Sequence, residues 1–156
     1  MTGYDLLVTG HVAGAIGWVG SGTFVQILGT KKVSAEKEKP EELQVFMSDL
    51  GWISPRWFIP VSLWTVLFGI LVVLDGHWSL KNSPFIGIGL AMFIVSFLIG
   101  VLFLGPQSEK IAKLGESEGP ASATYQQKVK KLILVSRFEL ALLWLTVAVM
   151  VIKPGG

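Results

Sequence analysis

The chain has 156 residues, enough for one domain, with 51% hydrophobic and only 15% charged side chains. Mean hydropathy is +0.61, and the charges fall between long apolar runs rather than through them, as expected of a surface that faces lipid. The formal charge of +2 is small and scattered, which argues against a nucleic-acid footprint; with no cysteine there are no disulfides, thiolate metal sites or cysteine nucleophiles.

Four runs have spanning length, at about residues 4–28, 57–74, 85–104 and 132–152. At about 1.5 Å per residue each crosses a hydrocarbon core of about 30 Å, and only a helix satisfies its own backbone there. The expected fold is therefore all-α, a transmembrane four-helix bundle forming a single integral membrane domain. The first run lacks a basic n-region, carries Asp5 where positive charge should lie and is longer than a signal-peptide core, so it reads as a retained helix. Pro55 and Pro60 are expected to open the second helix, Pro84 to precede the third, and Gly105-Pro106 to end it.

Between the first two runs, residues 40–53 place Leu43, Phe46, Met47 and Leu50 at helical spacing behind Glu41 and Glu42. That pattern predicts a short interfacial helix. The stretch GESEGPASATYQQ, before the fourth run, reads as a flexible solvated loop. Lysine and arginine set the orientation. Lys31, Lys32, Lys37, Lys39 and Arg56 lie in the first loop, and Lys110, Lys113, Lys128, Lys130 and Lys131 in the third. The middle loop holds only Lys81 and the C-terminal end only Lys153. The positive-inside rule then puts both lysine-rich loops in the cytoplasm and both termini outside, in a bacterial cytoplasmic membrane.

Few residues carry chemistry. Gly10, Ala13, Gly14, Gly17, Gly20 and Ser21 give the first helix a small-residue face, suited to close packing or to a groove for a flat cofactor. His11 is the one histidine inside a spanning run, a candidate ligand or proton site. Met92 lies at similar depth, His77 in the outer loop and Met150 near the outer end of the fourth helix, so haem b or copper could be held by sets drawn from these four. Arg137 and Glu139 are embedded in the fourth helix, two apart and so on different faces; with Gln26 and Thr23 at matching depth they suggest a structural polar clamp or a proton path. No nucleophile–base pair, phosphate loop or zinc spacing marks an independent enzyme. The lipid bilayer is one expected partner; the glycine face adds association as a homo-oligomer or as a subunit of a larger membrane complex.

His11 with Trp18, Gly20 and Gly22, then Ile53-Ser54-Pro55, Pro60, Gly69 and Asp75-Gly76, then Arg137, Glu139 and Ile152-Lys153-Pro154 form a pattern of short motifs over most of the chain. It resembles bacterial four-helix membrane proteins related to the CopD copper-resistance domain and to HemJ, and most of all an uncharacterised sister family of integral membrane proteins. The resemblance implies a helical bundle with haem b, in which His11 matches a histidine important for haem binding in HemJ. No lysine stands in the third run, and Gln26 occupies a position where HemJ-like chains tend to carry arginine. These departures separate the chain from the HemJ oxidase. The CopD side of the resemblance implies metal passage through His11, Met92, His77 and Met150, or transport of a small solute.

Overall fold

The computed structural model describes residues 2–155. Four helices are long and apolar enough to cross a membrane: α1 (Gly3–Ser34), α2 (Pro40–Asp75), α3 (Pro84–Glu118) and α4 (Ala123–Ile152). Most of each apolar stretch lies on the outer surface. Ile16, Leu67, Leu102 and Val151 are all strongly exposed there, an arrangement that water would penalise and lipid favours. The chain is a small multi-pass membrane protein.

The helices run well beyond the spanning runs at the lysine-rich end. α2 begins at Pro40, so the expected interfacial helix exists, as Pro40–Ile53, but it continues into the membrane through a π-helical turn at Ser54–Phe58. Pro55 and Pro60 thus sit inside a helix rather than at its start. Pro55 has no N–H to donate and its ring crowds the preceding turn; a widened turn absorbs both. α3 behaves in the same way. Gly105-Pro106 does not end it: a π turn spans Ile99–Leu104, the Gly105 N–H reaches the carbonyl of Gly100, and the helix goes on to Glu118.

The lysine-rich end is a packed cap. Leu43 and Met47 of α2, Ile111 of α3, and Tyr125, Val129, Leu132 and Ile133 of α4 form one buried cluster. Tyr125 is wholly buried, so only residues 119–122 interrupt the helices where a longer solvated loop was expected. Ser122 caps α4 by accepting the Tyr125 N–H. Lys130 pairs at 2.6 Å with Glu36, whose side chain is 7% exposed. Deeper in the bundle, Trp18, Val19 and Leu143 make a second, smaller core with Phe58, Val61 and Phe93.

Candidate functional site

The α1–α2 seam places His11. At Gly14 a methyl group would come within 2.6 Å of Thr65 Oγ1 and 3.1 Å of Thr65 Cα, and at Gly10 it would enter the Phe68 ring. Glycine is therefore what brings the two backbones together. Three side chains stitch the seam: Trp64 Nε1 donates to the Gly10 carbonyl at 3.0 Å, Trp57 Nε1 to Ser21 Oγ at 3.0 Å, and His11 Nδ1 to the Thr65 carbonyl at 2.8 Å. Because a carbonyl only accepts, Nδ1 carries the proton and Nε2 is left free. The imidazole lies over Gly69, where a methyl group would sit 3.0 Å from the ring.

The other outer-side candidates do not join His11 through any hydrogen bond. His77 is exposed in the turn after α2 with φ +53°. Met150 packs its methyl over Gly89 of α3. Met92 is half-buried on α3 beside Phe93, which meets Trp18 edge-on at 5.5 Å. Among the described residues, no group of three or more His, Asp or Glu side chains could hold a metal ion.

At the inner end the embedded polar residues separate into two sets. Gln26 accepts a hydrogen bond from Ser136 Oγ at 2.7 Å and donates to Thr30 Oγ1 at 3.3 Å; Arg137 donates to Thr30 Oγ1 at 3.1 Å. These four residues clamp α1 to α4. Glu139 is not in the clamp: it makes no side-chain hydrogen bond or ion pair among the described residues, yet is 9% exposed. Depth alone suggested Gln26 and Thr23 as its partners. Gln26 instead takes Ser136, and Thr23 accepts from Trp144 Nε1 at 3.2 Å. Facing α4 at the next level of α1 is Gly22, where a methyl would meet Leu140 at 3.5 Å. A glycine offers no donor.

Glu139 instead lines a partly open cavity of about 310 Å³ to which all four helices contribute. Trp18, Phe58, Phe97 and Leu140 supply apolar walls; Ser62, Ser96 and Ser136 supply hydroxyls from the spanning runs, and Ser54 and Ser108 add two more outside them. The buried Ser96 hydroxyl has no partner. Both π turns border the cavity, through Ser54, Pro55, Phe58, Gly100 and Leu104. Around them α2 and α3 cross closely, with Gly51 over Glu109 and Gly105 over Ser54. Gly51, Pro55 and Glu109 also line a shallow groove on the lysine-rich side, so the cavity and the groove adjoin there. A largely apolar pocket with a few convergent polar groups is the usual form of a small-molecule site, and π turns recur at such sites. Sequence reading singled out Glu139 but missed the three serines, whose only signal was their recurrence within apolar runs.

No protein-family model matches the chain, and no match is found among curated proteins or solved structures. The site therefore rests on its own geometry. It defines a class, a four-helix membrane protein with an intramembrane acidic cavity.

Proposed function

We propose that this multi-pass membrane protein is a small-solute carrier, with the cavity as its binding site and Glu139 as the group that exchanges a proton for solute. One observation carries the reading: a carboxyl buried in the spanning region, without a protein partner among the described residues, borders a cavity that adjoins a groove between α2 and α3, which we take as its mouth. An ionised carboxylate isolated from water is costly, so it is neutralised by a proton or by a bound partner, and either state excludes the other. By the positive-inside rule the mouth faces the cytoplasm.

The test uses the absence of native cysteine. Gly100→Cys borders the cavity at a position with open space for a side chain, while Leu102 is 70% exposed on the same π turn and faces lipid. In proteoliposomes a water-soluble, charged thiol reagent should modify Gly100→Cys and leave Leu102→Cys unreacted. Equal inertness of both would overturn the carrier reading.

A second reading, haem b at His11, is favoured by the Nδ1–Thr65 hydrogen bond, since a fixed Nδ1–H would leave Nε2 available to hold the iron. It is the reading that the resemblance to CopD and HemJ supports. Haem would supply one-electron chemistry; His11 would hold it and Thr65 would orient the ring. Folded protein expressed with ample haem should then show a Soret band that disappears in His11→Ala, and its absence from the folded wild type would end this reading.

A further inference from the structure

We infer that the cavity is built for a small monoamine, a single protonated ammonium on a compact apolar body. The inference rests on the carrier reading above and names its solute.

The cavity offers acceptors and lacks cations. Among the described residues, Glu109 and Glu139 are the only ionisable side chains lining it. Glu109, at the mouth, is already paired with Lys113 at 2.7 Å. From α1 and α2 no charged side chain faces the interior. On α4, Arg137 is turned away to Thr30. Glu139 is thus one uncompensated acid.

The hydroxyls reinforce it. Ser62 commits its proton to the Ile59 carbonyl at 2.9 Å, and Ser136 commits its own to Gln26 at 2.7 Å. A hydroxyl has one proton, so toward the cavity these serines present lone pairs. An anion would meet repulsion at Glu139 and no cation to offset it. A polyamine would leave all but one of its charges without a counter-ion. An ammonium finds a carboxylate and hydroxyl acceptors, with the aromatic side chains of Trp18, Phe58 and Phe97 along the walls. Size sets the remaining limit, because about 310 Å³ stands at the small end of the range of about 300–1,000 Å³ for ligand pockets.

Two probes of nearly identical shape separate charge from bulk: cyclohexylmethylamine, protonated at neutral pH, and cyclohexylmethanol. Each is added to full-length Gly100→Cys protein in proteoliposomes, and the rate of thiol modification is read. The amine should slow modification at far lower concentration than the alcohol. Adding Glu139→Gln should weaken amine protection about tenfold or more, the loss expected for a charge-assisted contact, while Glu139→Asp should retain part of it. Equal protection by alcohol and amine, or amine protection unchanged in Glu139→Gln, overturns the monoamine assignment but leaves the carrier reading intact. A Gly100→Cys that is never modified overturns both.

Discussion

Of the ionisable residues within the spanning helices, His11 and Glu139 are treated oppositely. His11 is built into the α1–α2 seam, where glycine removes the bulk in its way and a carbonyl accepts the hydrogen bond from its Nδ1–H. Glu139 is more fully buried, but the helix facing it offers glycine where a side-chain donor would have satisfied it. A buried polar group supplied with its partner contributes to packing and specificity; one denied a partner costs stability. The contrast is the ground for placing the proposed function at the cavity, with the seam holding two helices in register beside it.

Substitutions in the seam should have the largest effect. Gly14→Leu forces a side chain against the Thr65 backbone and should cost about 3 kcal/mol in reversible unfolding from mixed micelles. Gly20→Ala, on an open face of the same helix, meets nothing within 4 Å and should be nearly silent. If both are silent, the seam is not tightly packed.

The cap comes next. Lys130→Ala leaves Glu36 enclosed without its ammonium and should cost about 2 kcal/mol in the same assay, below a fully buried pair because Lys130 is half-exposed. His11→Ala removes one interhelical hydrogen bond and should cost about 1 kcal/mol, the usual scale for such bonds in membranes. A loss several times larger would mean that His11 holds more than the Thr65 carbonyl.

The smallest effect is a pH dependence at the cap. Lys32 at 2.6 Å and Lys39 at 2.8 Å hold the Glu42 carboxylate down at about 2, from an ordinary value of 4.5. A lowered folded-state value means that stability is present above about 4.5 and is lost as pH falls toward about 2. The Glu42 contribution to the unfolding midpoint should therefore be steady from neutral pH to about 5 and decline below it, so that Glu42→Gln and wild type converge as pH falls. The pair is solvent-exposed, so the change is small.

The spans were legible in the sequence because lipid imposes one requirement, an apolar run of sufficient length, and hydropathy reports it directly. The helix ends were not. Pro55, Pro60 and Gly105-Pro106 terminate helices when the lost hydrogen bond has no substitute, but at the last of these a π turn supplies one in the Gly105–Gly100 bond. The solvated reading of GESEGPASATYQQ failed at Tyr125, a single aromatic whose burial depends on Leu43 and Ile111 from distant segments. Glu139 was legible as an anomaly, but its surroundings were not. Depth along a helix can be counted from the sequence; the direction a residue faces depends on how four helices rotate against one another, and that set Gln26 against Ser136 and turned Glu139 to the cavity.

The most direct test of that contrast is the stability of Glu139→Leu beside wild type, by reversible unfolding in mixed micelles. A carboxyl kept for binding should be expendable for folding, so the variant should be as stable as wild type or more stable by about 1 kcal/mol. A loss of about 2 kcal/mol or more would show that Glu139 holds the bundle together, and would contradict its assignment as the free acid of a binding site.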